Sequence, residues 1–138
     1  MLHRPHAPTP TSAFANAFMK GDADAMAALL APDATFHSPV TDYAGARRVA
    51  KLLRTVAQVV PAREQTTVFA GRSETIAVFT AADADLRFDG VLRVVADDEG
   101  RVASVLLWLR PLDALLEGVE RMRVALAGRR ERERGAQA

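Results

Sequence analysis

After Pro61 the spacing of apolar residues changes from that of a helix to that of a strand, and this change constrains the fold more than any other feature of the chain. Four runs follow it, Gln65–Ala70, Thr75–Ala82, Leu86–Ala96 and Val102–Arg110, all rich in Val, Thr, Ile and Phe. Gly71-Arg72, Asp83 and Asp97-Asp98-Glu99-Gly100 separate them, and connections this short predict an antiparallel meander. The last run is apolar on both faces, Val102, Leu106 and Trp108 alternating with Ala103, Val105, Leu107 and Leu109, so both faces need cover.

The residues before Pro61 predict three helices. Thr11 or Ser12 caps the first, whose Phe14, Ala17 and Phe18 share one side, and Gly21 ends it. Asp22 caps a second over Ala23–Leu30, stopped by Pro32. A brief strand over Asp33–Ser38 is closed by Pro39, and Tyr43-Ala44-Gly45 turns the chain into a third helix over Ala46–Val60. In that helix Val49, Leu52, Leu53, Val56 and Val60 form an apolar stripe, with Arg47, Arg48, Lys51 and Arg54 largely opposite. Pro111 starts a final helix to about Ala127. Helices placed before and after a curved antiparallel sheet make an α+β domain in which helices cover one sheet face.

A chain of 138 residues fits one domain with a single core. The expected organisation is a flexible lead-in over residues 1–10, one domain over 11–127 and a charged flexible tail over 128–138. The lead-in lacks the apolar stretch of a signal peptide. No cysteine is present, which excludes a disulfide scaffold, a thiolate zinc site and a cysteine nucleophile, and suits a reducing cytoplasm. The longest apolar run is far shorter than the ~20 residues a membrane helix needs, so no membrane partner is expected. Between Thr11 and Ala127 there are 13 basic and 15 acidic side chains, interspersed, and no basic face for nucleic acid is expected. No glycine-rich phosphate loop occurs there either. His3 and His6 have no third ligand near them in sequence, so no metal site is expected, and nothing calls for a cofactor.

Several motifs in this order carry a resemblance: Gly21-Asp22, Pro32-Asp33-Ala34-Thr35-Phe36, Ser38-Pro39-Val40, Tyr43-Ala44-Gly45, Asp98-Glu99-Gly100-Arg101-Val102 and Arg110-Pro111-Leu112. Together they resemble the SnoaL-like branch of the nuclear transport factor 2-like (cystatin-like α+β) superfamily, over most of Phe14 to Leu126. The resemblance implies a cone in which a curved, mostly antiparallel sheet wraps a long helix and encloses an apolar pocket. It also implies a homodimer through the outer sheet face. The expected pocket lining is Phe14, Phe18, Phe36, Phe79, Phe88 and Trp108, although aromatic side chains fill cores by default. Leu107 and Leu109, of opposite parity to Trp108, are then expected outward, against a second copy.

Bacterial ketosteroid isomerases share this layout and need a carboxylate base before Pro-Val, a tyrosine on the first helix and a protonated aspartate on a later strand. The matching positions here read Ser38, Phe14 and Leu92, so that activity is not expected. Ser38, His37, Asp89 and Tyr43 are the polar groups that remain as candidates for acid/base chemistry. His37 has a suitable ordinary pKa, but strand alternation turns it away from the side that Phe36 and Ser38 face unless a bulge intervenes. Asp85, Arg87 and Asp89 share one strand face, a combination similar in type to the aspartates and arginine of limonene-epoxide hydrolases, and equally that of a solvated outer face. Asp89-Gly90 is a candidate bulge. Tyr43 stands at a pocket rim, and Arg110 is placed to pair with a carboxylate of the last helix or of a partner chain. Two functions follow: a module binding a small, neutral hydrophobic molecule, or a cofactor-independent isomerase, cyclase or epoxide-hydrolase-like enzyme.

Overall fold

The computed structural model describes residues 9–137. Most of the lead-in, with His3 and His6, lies outside them. The order is α1 (Pro10–Lys20), α2 (Ala23–Leu29), β1 (Leu30–His37), β2 (Asp42–Ala44), α3 (Ala46–Val59), β3 (Arg63–Ala70), β4 (Glu74–Ala82), β5 (Arg87–Ala96), β6 (Val102–Arg110) and α4 (Leu112–Gln137).

Thr9 caps α1, accepting from the Ser12 amide, so the helix starts earlier than Thr11 and uses Pro10 in its first turn, where no amide is needed. Gly21 ends α1 in the left-handed region at φ 69°, which a Cβ would oppose. Asp22 caps α2 by accepting from the Ala25 amide. The chain then enters β1 at Leu30, and Pro32 sits within a strand rather than ending a helix. That is tolerated because the ladder to β6 is interrupted between Leu30 and Thr35, where the missing amide is not called upon. Tyr43, expected in a turn, belongs instead to the short strand β2.

One six-stranded sheet runs in the order β2-β1-β6-β5-β4-β3. All neighbours are antiparallel except β1 and β6, which are parallel. The helices lie on its inner face over one core. Phe14, Phe18 and Met26 of α1 and α2, Val49 and Leu53 of α3, and Phe79, Phe88, Leu92, Val94 and Val105 of the sheet are fully buried there. Phe18 and Phe79 meet edge to face at 5.3 Å and 69°. Thr11 and Thr75, both fully buried, satisfy each other's hydroxyls at 2.9 Å.

The parity of β6 is the reverse of the expected one. Val105 and Leu107 are buried on the helix side, with Leu109 beside them, whereas Leu106, Trp108 and Arg110 face outward. The register shift between Val95 and Ala96 sets this phase. Trp108 is therefore 51% exposed on the outer sheet face. No bulge occurs at Asp89-Gly90, whose register with both neighbouring strands is unbroken. Helix α4 continues past Ala127 to Gln137, so residues 128–137 extend a helix.

Candidate functional site

The TFHSPV segment at the end of β1 positions one wall of a cavity. Phe36 is buried on the inner face and pairs across the strands with Tyr43, placing both on the same side. The chain then reverses through a turn closed by Ser38. Its hydroxyl donates to the Thr41 carbonyl at 2.7 Å and accepts from the amides of Thr41 at 3.0 Å and Val40 at 3.2 Å. These bonds occupy the hydroxyl and push Pro39-Val40 out as a rim. Gly45, at φ 94°, then redirects the chain into α3.

Between this corner, the sheet and two helices lies a cavity of about 290 Å³. Helix α3 lines it with Leu52 and Val56, its C-cap with Val60, and the sheet with Phe36, Phe88, Leu107 and Leu109. Helix α4 closes another side with Leu115, Gly118, Val119, Met122, Arg123 and Leu126. Gly118 is required at its position, because a Cβ there would meet the Phe88 ring at 2.9 Å. Ser38, Tyr43 and Arg123 are the only lining residues with polar side chains among the described residues, and none is a carboxylate.

The structure thus brings together four of the sequence candidates, Phe36, Ser38, Tyr43 and Phe88. Phe14, Phe18 and Phe79 pack into the core without lining the cavity. Trp108 does not line it either, because Arg110, two residues on, is held outside and strand alternation keeps Trp108 on that same face. His37 points away from Phe36, and its Nδ1 is 2.8 Å from Asp42 Oδ1 near the surface. Asp89 lies on the outer face, accepting from Arg110 Nη1 at 3.0 Å across the β5–β6 ladder. Leu86 and Phe88 turn inward, leaving Arg87 and Asp89 on the outer face. The α4 contribution was missed, since an apolar helical stripe signals contact with a core but not space left beside it.

Two electrostatic features lie elsewhere in the fold. Arg121 of α4 donates to Asp83 at 2.8 Å, and this bond holds the Asp83 carboxyl below the usual aspartate range. It ties the helix to the β4–β5 connection. Arg63 lies 5.1 Å over the Phe18 ring, with Nε and Nη1 buried and without a hydrogen-bond partner among the described residues, and desolvation lowers its pKa. No group of metal-ligating side chains occurs among the described residues. No helix among them is long and apolar enough to cross a membrane.

No curated protein matches the sequence. Among solved structures, a steroid delta-isomerase from Pseudomonas aeruginosa is 26% identical, with a TM-score of 0.77 over 91% of this chain and 97% of that one. A protein of cystatin-like fold from Silicibacter pomeroyi DSS-3 is 22% identical, with a TM-score of 0.75 over 93% of this chain and 89% of that one. A SnoaL-like protein of unknown function from Burkholderia thailandensis, 15% identical, has a TM-score of 0.59 over 72% of this chain and 90% of that one. The latter two likenesses concern the fold alone. The model of the SnoaL-like domain matches residues 11–132. With nearly the whole described chain matched and the helix-wrapped curved sheet in place, this chain belongs to the SnoaL-like domain family.

Proposed function

We propose that the chain binds a small hydrophobic molecule in the cavity between the sheet, α3 and α4, and works as a homodimer joined through the outer sheet face. One observation carries the reading: a cavity of about 290 Å³ is walled almost wholly by aliphatic and aromatic side chains, and its one serine is already committed to its own turn. A volume at the low end of the roughly 300–1,000 Å³ typical of ligand sites suits a compact molecule, held mainly by burial. Tyr43 is left to orient one polar atom of it.

The test is a thermal-shift panel. Compact hydrophobic compounds are expected to raise the melting temperature of the wild type, and Met122→Trp, which fills the cavity from α4, is expected to fold and lose the response. Trp108 emission is not the readout, because that residue lies on the opposite sheet face. A panel in which nucleotides or sugar phosphates stabilise the protein while apolar compounds do not would refute the reading.

An acid/base enzyme is the second reading, favoured by the likeness to a steroid delta-isomerase. For that isomerisation a base must reach a carbon-bound proton, and no carboxylate or imidazole lines the cavity among the described residues. The expected result is no conversion of a Δ5-3-ketosteroid above the uncatalysed rate. Conversion that disappears in Ser38→Ala or Tyr43→Phe would establish the enzyme reading in its place.

A further inference from the structure

We infer that the preferred occupant of the cavity is an apolar molecule with one anionic head, a hydrophobic carboxylate, whose head binds Arg123 at the cavity mouth. The inference rests on the reading of the cavity as a ligand site and departs from the neutral occupant expected on sequence grounds.

Arg123 is the only charged residue on the lining among the described residues. Its side chain is 68% exposed, so it stands at the rim rather than in the interior. The interior offers an anion nothing, since the Ser38 hydroxyl is occupied and the remaining walls are apolar apart from Tyr43. A molecule that buries an apolar body and leaves its head at the mouth meets the guanidinium there. At present Arg123 is engaged by Glu120 of the same helix, through Nε at 3.1 Å and Nη2 at 2.6 Å. Glu120 is 55% exposed, and an exposed pair of this kind holds only weakly. A ligand carboxylate presents the same two-oxygen fork and arrives already anchored by its buried body, so it displaces Glu120.

The distribution of charge acts in the same direction. Helices α3 and α4, which flank the mouth, hold ten Arg and Lys against five Asp and Glu. The rest of the described chain holds seven against twelve. Helices α3 and α4, which wall the cavity, thus carry a net excess of positive charge, which draws an anion toward it.

Isothermal titration of the full chain with octanoate and with 1-octanol at low ionic strength tests the inference. Octanoate is expected to bind about tenfold more tightly than octanol, the size of one charge-assisted contact. Arg123→Gln should abolish the preference by weakening octanoate far more than octanol, and Glu120→Gln should strengthen octanoate alone. Added salt should weaken octanoate only. Equal binding of the two probes, or a preference that survives in Arg123→Gln, overturns the anionic head and leaves the apolar cavity standing. Failure of both probes to bind overturns both readings.

Discussion

Gly90→Ala is expected to destabilise the fold by about 3 kcal/mol, the upper part of the range for overpacking a tight interior. Gly90 lies on β5 directly between Phe79 of β4 and Leu109 of β6, all three on the inner face. A Cβ there would stand 2.7 Å from Phe79 Cε1 and 2.9 Å from Leu109 Cδ2. Phe79 has no room to move, because its ring is buried and set edge-on against Phe18, whereas Leu109 can yield into the cavity it borders. Shrinking the ring should relieve the clash, so Phe79→Leu combined with Gly90→Ala is expected to be more stable than the sum of the two single changes implies. Denaturant titration of the four proteins measures the coupling. A loss of about 3 kcal/mol corresponds to roughly 10 °C in a domain of this size, so a Gly90→Ala protein melting with the wild type would contradict this packing.

Trp108→Glu is expected to convert the proposed homodimer into monomers. On the outer sheet face Val78, Val91 and Trp108 stand side by side across β4, β5 and β6, and Phe69, Ile76, Arg93 and Leu106 form the next row. Two ion pairs on this face form within the sheet, Arg93 with Glu74 and Arg110 with Asp89, and these can be covered without leaving an isolated ion. Beside them lies apolar surface, with Trp108 and Phe69 about half exposed or more, of the kind that a two-fold partner buries. Because Trp108 contributes little to its own core, the Glu variant should keep its secondary structure while losing its partner. Leu107→Glu, one residue away but buried on the inner face, should instead unfold the chain. Sedimentation of a monomeric wild type at micromolar concentration would refute the assembly.

The contrast between residues 107 and 108 shows where sequence reasoning stopped. A strand apolar on both faces has no hydrophobic alternation to mark which side is inner, and a register shift near Ala96 decided it. Residue chemistry that acts over a few positions was legible. Gly21 ends α1 in the left-handed region, Asp22 caps α2, the Val49–Leu53–Val56 stripe of α3 is buried, and β6 spans the expected Val102–Arg110. Each depends on backbone sterics, a local hydrogen bond or a repeat of one face, and these are set by neighbours in sequence.

The cavity was not legible in the same way. Phe36, Phe88 and Tyr43 were identified beside it, but Phe14, Phe18 and Phe79 were equally good candidates and went into the core. Whether an aromatic ring meets another side chain or open space depends on how far α4 stands from α3 and the sheet, which Gly118 and the Arg121–Asp83 bond help to set. Ser38 looked like a free hydroxyl until the turn to Thr41 used it, and nothing in the sequence singled out Arg123, which α4 brings to the cavity wall. By itself the sequence determined the order of elements, their caps and the α+β class, because those follow from local periodicity and short-range bonding. The tertiary structure alone decided the empty volume and the face of Trp108, because each is a relation between segments far apart in the chain.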